Sequence, residues 1–315
     1  MNFEALFSTA LSLFLFTLTG FVLRKTGVVD GTLTGKLSGF VAKACQPFLI
    51  IFSVVKLEYS TEKLRNGILV LAFSVLLHIF LALASKLFFS RVGDTDERKI
   101  HKFGCVFTNC AFVGFPILNA LFGEAGLFYG AFYVIVYNLA VWSYGVVVMA
   151  RGKPNFKISV RKMLVNLGTV PCAIGLGLYM ARVPMPDFLM TVLESMSGLC
   201  TPLSLIVTGS LVASMPLRGL FNNPKIYYFC AAKLILIPLI AAVILRFAGL
   251  SGLVEGIDLS VFMVVLSSMP PAAFTTIFAE LYDVKPAYAA QLLSVGTMLS
   301  PFTILLVMKL SEFIL

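Results

Sequence analysis

The sequence predicts an all-α integral membrane protein of ten transmembrane helices, built as a 5+5 inverted repeat in which helices 4 and 9 are broken. Three observations carry this. The 315-residue chain is 59% hydrophobic and only 12% charged, against about 25% charged in an ordinary soluble domain. Its apolar runs reach the roughly 20 residues that a span needs, without the alternating ten-residue segments of a membrane β-barrel. A shift of 155 residues lays the chain back on itself without a gap: Gly20 on Gly175, Leu23 on Leu178, Cys45 on Cys200, Pro47 on Pro202 and Pro116 on Pro271. Internal repeats of this kind are common in membrane carriers.

The elements follow in order. A first span over 3–23 has Glu4 as its only early charge and is closed by Arg24 and Lys25, so it reads as a retained span and not a signal peptide. Lys25-Thr26-Gly27 turns the chain into span 37–57, which holds Lys43 and Gln46-Pro47. Span 66–90 carries His78 and ends at the Gly93-Asp94 turn. Span 103–123 holds Asn109, Gly114, Pro116 and Asn119, and span 126–149 holds Asn138 and Trp142. Turn signals at Pro154-Asn155, Pro184-Met185-Pro186 and Asn222-Asn223-Pro224 separate spans 160–181, 188–214 and 226–249. Spans 258–281, with Pro270-Pro271, and 286–312 complete the set. Residues 1–150 are the first five-helix repeat, 151–160 a cytoplasmic linker, and 161–315 the second repeat.

Lysine and arginine set the orientation. With the N-terminus outside, sixteen Lys and Arg residues fall in inside segments and six outside. Both termini are therefore expected on the non-cytoplasmic side of a cell (inner) membrane. The net charge of +9 follows from this topology and requires no nucleic-acid partner. Five spans per half is an odd number, so the second half enters from the opposite side and the repeat is inverted.

Pro116 and Pro270-Pro271 lie near the middle of equivalent spans. A proline inside a helix removes a donor and clashes with the preceding turn; in hydrocarbon the freed groups must find partners or line a wet cavity. Two such breaks would leave helix N-termini at the midplane, and these favour anions. A simple proline kink is the competing reading.

The stretch Asn109-Cys-Ala-Phe-Val-Gly114-Phe-Pro116 resembles the N-x-x-x-x-G-x-P motif of the auxin efflux carrier family. That family includes plant PIN carriers and bacterial malate or malonate permease-like proteins. Tyr137-Asn138-Leu139 and Leu199-Cys-Thr-Pro202-Leu-Ser-Leu are similar to further family patterns, and the resemblance covers essentially the whole chain. It implies crossed, broken helices 4 and 9 inside a transport domain that moves like an elevator against a scaffold, and export or exchange of organic anions. PIN carriers place an asparagine at each crossover. Span 9 has none, which argues against auxin itself.

Ionisable residues at depth are functional candidates. Lys43 and Lys233 either line an anion path or snorkel to the inner surface. His78 is either a neutral helix-contact residue or a proton-coupling group. No Asp or Glu occupies the central third of any span, which disfavours a cation exchanger. The six cysteines lack CxxC spacing and read as small hydrophobes. No GxxxxGK[ST] motif, paired carboxylates or HExxH appears, so neither an ATP-driven pump nor an enzyme is expected.

The candidate substrate site is Asn109, Gly114, Pro116, Asn119, Pro270, Pro271, Asn138, Gln46, Lys43 and Lys233, with His78 as coupling candidate. The expected activity is secondary transport of mono- or dicarboxylates by alternating access. A sodium-coupled symporter of the bile-acid type and a non-transporting sensor stand as rivals. No cofactor is implied; coupling to H+ or Na+ stays open, and a homodimer is compatible with the sequence.

Overall fold

A computed structural model describes residues 3–152, 160–214, 222–250 and 252–315. Residues 153–159 of the expected linker lie outside the described residues. The described residues form helices joined by short turns, with one isolated β-bridge. Among them, seven helices are long and apolar enough to cross a membrane, and the chain is a multi-pass membrane protein.

In chain order the helices are α1 (Phe3–Lys25), α2 (Gly31–Val55), α3 (Thr61–Phe89), α4 (Thr95–Val106), α5 (Cys110–Ala150) and α6 (Val160–Leu164). After them come α7 (Thr169–Met180), α8 (Asp187–Ala213), α9 (Pro224–Arg246), α10 (Leu259–Ser268), α11 (Phe274–Leu281) and α12 (Pro286–Ile314). Polar caps explain several starts. Asp30 accepts from Leu33 N at 2.6 Å, Ser60 from Lys63 N at 3.3 Å, and Asp258 from Val261 N at 3.0 Å. Each satisfies an N–H that has no intrahelical acceptor.

The 41 residues of α5 would reach roughly 60 Å if straight, at about 1.5 Å per residue. Gly123 folds the run back instead, with φ 59° and ψ −142°, a conformation that an L side chain resists. A Cβ on Gly126 would stand 2.4 Å from the Leu118 carbonyl oxygen, so the two arms are in contact.

Three of the prolines within helices follow widened turns, whereas Pro202 and Pro301 sit inside helices without one. π-helical turns occupy Val41–Cys45, Cys110–Gly114 and Ala232–Leu236, and each is followed two residues later by Pro47, Pro116 or Pro238. The π register moves the carbonyl that the proline ring would strike, although the proline itself still donates no hydrogen bond. Helix α5 therefore runs through Pro116, with Gly114 and Phe115 both in the right-handed helical region. The expected break at Pro116 does not occur. It lies upstream, at Phe107–Asn109, between α4 and α5.

The expected single span 160–181 is also divided. The Asn166 side chain accepts from Gly168 N and Thr169 N, both at 2.9 Å, and this local cap starts α7 at Thr169. Two groups of helices pack within themselves. In the first, α1 and α8 approach so closely that a Cβ on Gly20 would meet Ile206 O at 2.0 Å and one on Gly209 would meet Thr17 O at 1.8 Å, the small-residue contact that membrane helices favour. Helices α2 and α7 join them, with Thr34 Oγ1 2.7 Å from Ser210 Oγ. The second group is α3, α4, α5 and α9 to α12.

Candidate functional site

The second break lies at Met269–Ala273, between α10 and α11, where the Pro270-Pro271 pair predicts it. The two breaks cross. Thr108 and Pro271 form an antiparallel bridge, in which Asn109 N donates to Pro270 O at 2.7 Å and Ala272 N donates to Phe107 O at 2.9 Å. Two stretches that cannot complete helical bonds thus satisfy one another, as backbone in a membrane must. The crossing is cradled by glycines: a Cβ on Gly296 would stand 2.9 Å from Pro271 Cδ, and one on Gly104 would stand 3.5 Å from Pro271 Cβ. Pro116 and Pro271 are paired by the 155-residue shift, but the residue that meets Pro271 is Thr108.

A cavity of about 170 Å³ lies beside the crossing. That is enough for a small organic molecule, since roughly 150 Å³ accommodates benzene. Its wall includes Asn109 to Phe112 at the start of α5 and Ala272 to Phe274 at the start of α11. Gln46 of α2, Tyr137 and Asn138 of α5, Thr208 of α8 and Thr297 of α12 add polar groups, together with Ser38, Thr108, Ser204 and Thr276. The cavity therefore sits between the two helix groups, and no charged side chain among the described residues lines it.

Asn109 is the most informative wall residue. It is 8% exposed and caps α5 by accepting from Phe112 N at 3.2 Å. Its carbonyl accepts from Val113 N at 3.3 Å and Gly114 N at 3.1 Å. Because Phe112 N–H requires an acceptor, that bond assigns Oδ1 and Nδ2. No acceptor among the described residues takes Nδ2, so its two N–H groups remain for a guest. The first N–H groups of α5 and α11 add partial positive charge to the same wall. Asn138 is different: its Nδ2 donates to Val134 O at 2.8 Å, and Gly168 fits against it so closely that a Cβ there would meet Asn138 Nδ2 at 2.1 Å.

The other predicted residues divide. Gln46 lines the cavity. Gly114, Pro270 and Pro271 are buried and shape the crossing, and Pro116 is half-buried behind it. Asn119 and Lys43 are exposed and outside the cavity wall. Lys233 neither snorkels nor lines the cavity. It is wholly buried, and its Nζ donates to Ser267 O at 2.5 Å, placing an ammonium against the C-terminal end of α10, where a cation is favoured. His78 is 6% exposed and uses Nδ1 on Ser74 O at 2.8 Å. All six cysteines are free and buried.

Sequence reasoning missed Thr108, which adjoins the Asn109 motif, and Thr208 and Thr297, which no local pattern marks. On the loop side of the bundle, a cluster ties α4 to α9 and α12. Lys225 Nζ lies 2.7 Å from Glu97, and Lys285 reaches Glu97 at 3.1 Å and also Asp94. Asp94 and Glu97 form a capping box at the start of α4. The Lys285 ammonium and the local backbone donors hold the Asp94 carboxyl at about 2, below its ordinary 3.8.

Paired broken helices whose ends face a cavity between two helix groups define a class: membrane transporters built on discontinuous helices. A family model described as membrane transport protein matches residues 5–308. The chain belongs to that family, the auxin efflux carrier or PIN-like transporters. A comparison with curated proteins finds no significant match.

Proposed function

We propose that the chain is a secondary transporter of small organic anions, with a single carboxylate bound between Asn109 Nδ2 and the N-termini of α5 and α11. The observation that carries this reading is the crossing of the two breaks beside a cavity that has donors and no formal charge. Each helix N-terminus is worth about half an elementary charge. Two of them offset one carboxylate, so monocarboxylates suit the cavity better than dicarboxylates. Export or exchange would follow as α3, α4, α5 and α9 to α12 slide against α1, α2, α7 and α8.

On this reading there are ten spans. Helix α4 and the first arm of α5 form one broken span, α10 and α11 form another, and α6 joins α7. Five spans per half make the halves inverted, and the lysine and arginine bias places both termini on the non-cytoplasmic side. Lys233 also bears on coupling. Half-helix C-termini are where transporters of this construction hold Na+, and here an ammonium contacts that end of α10. This supports transport that does not depend on sodium.

The test is exchange of labelled monocarboxylates in proteoliposomes, with and without Na+. Saturable flux in sodium-free buffer is expected, and its loss in Asn109→Ala. Accumulation driven only by a sodium gradient would establish the symporter instead. Saturable binding without flux would establish a sensor.

A further inference from the structure

The cavity beside the crossing is open on one side only. The basic turns at Arg24-Lys25 and Arg91 mark the cytoplasmic end, where α1 and α3 finish and α2 and α12 begin. Toward that end the wall includes Ser38 near the start of α2, Leu211 near the end of α8 and Ile277 of α11. Leu211 and Ile277 are 41% and 50% exposed, so they form a rim. Toward the outer end the wall stops at the crossing. Among the described residues it takes nothing from α1, from α10, or from 113–133 of α5.

Two contacts close the outer side. The first is an apolar seam in which Leu13 of α1 and Leu205 of α8 meet Val113 and Ile117 of α5 and Ile304 of α12. All five are buried, and the gap between them is about 10 Å³, room for about one water. The second is an ion pair at the outer surface. Lys56 closes α2, and its Nζ lies 3.0 Å from Glu124 Oε1, beside the Gly123 fold of α5. The Phe52 ring, 5.3 Å from the same Nζ, helps to hold the ammonium in place. Both contacts cross the divide between the two helix groups: α1, α2 and α8 lie on one side of it, α5 and α12 on the other.

We propose that this conformation takes substrate from the cytoplasmic face and is sealed to the outside, with Lys56 and Glu124 as the latch of the seal. The proposal rests on the sliding of the two helix groups described above, since only their relative movement parts Lys56 from Glu124 and opens the seam to water. Apolar contact has no directional preference, whereas an ion pair is made at one register of the two groups only. The pair therefore selects this conformation over an outward-open one. An anion entering from the cytoplasm meets Asn109 while the outer route is closed, as the loading of an exporter requires.

Ile277→Cys and Ile117→Cys report the two sides. The background is Cys110→Ser, because Cys110 lines the cavity and the other five cysteines are buried away from it. The full chain, in membrane vesicles of either orientation, is treated with a membrane-impermeant maleimide. Ile277→Cys is expected to react in inside-out vesicles and not in right-side-out ones. Ile117→Cys should react slowly, and from the outside alone. Lys56→Glu should raise the Ile117→Cys rate about two- to fivefold, the worth of an exposed ion pair, and adding Glu124→Lys should return it. Ile304→Cys reads the same seam from α12 should Ile117→Cys fail to insert. The labelling needs no substrate, so its outcome is independent of the carboxylate reading. Reaction of Ile277→Cys from the outside or from neither side, or reaction of Ile117→Cys as fast as that of Ile277→Cys, would overturn the sidedness. An Ile117→Cys rate that Lys56→Glu leaves unchanged, or that the charge swap does not restore, would overturn the latch.

Discussion

The two breaks reach one geometry by different means. At Phe107–Asn109 there is no proline: the helix stops because Asn109, at φ −77° and ψ 64°, uses its side chain to cap α5. At Met269–Ala273 two prolines withhold their donors, and Lys233 supports the carbonyl end of α10. The first break therefore presents side-chain donors to the cavity, whereas the second supplies backbone and rigidity. Chemistry and mechanics are divided between the two breaks, although their backbones pair as equals in one bridge.

Substitutions can break or sharpen that contrast. Asn109→Ala should lower flux about 10- to 100-fold, the worth of a hydrogen bond to a charged group. Asn109→Asp retains the capping oxygen but not the donors, and should lose flux at least as severely while thermal unfolding stays near wild type. Normal transport by the Asn109→Asp variant would show that Asn109 only caps. Lys233→Met should reduce flux on the order of tenfold, from the up to ~2 kcal/mol that a cation gains at a partly buried helix C-terminus. Unchanged flux would make that ammonium dispensable and the second break purely a matter of proline.

Pro116→Ala is expected to change flux by less than about twofold, because the π turn before it already absorbs the ring. A large loss in a transport assay would restore Pro116 to the site. The smallest effect belongs to the start of α4. Asp94→Asn should cost under about 1 kcal/mol in detergent unfolding, since its ion pair is largely exposed, and should leave flux intact. Its folded carboxyl titrates at about 2, below its ordinary 3.8, so its contribution is present above about pH 4 and is lost as pH falls through about 2. Asp94→Asn should erase that acid dependence.

Much of the helical organisation was legible. Apolar runs, the Asp94 turn and Pro270-Pro271 act locally, so their effects can be read in place. Pro116 misled for a physical reason: the π turn at Cys110–Gly114 widens the turn before the ring, so the helix runs on through it. Lys43 and Lys233 were alike in sequence, each a lysine inside an apolar span. The fold separated them, leaving one exposed and burying the other against Ser267.

By itself the sequence determined that this chain crosses a membrane repeatedly, belongs with transporters, and is interrupted at Pro270-Pro271; the first interruption it placed at Pro116, downstream of where it lies. Composition and local backbone chemistry suffice for the spans and the break; the internal repeat and the resemblance of the Asn109–Pro116 stretch to a transporter family carry the class. Only the tertiary structure decided that Thr108 meets Pro271, that Thr208 and Thr297 share a cavity with Asn109, and that Lys233 serves a helix end. Those facts depend on which backbone groups, once deprived of water, find each other across distant stretches of chain, and no periodicity in the sequence encodes that pairing.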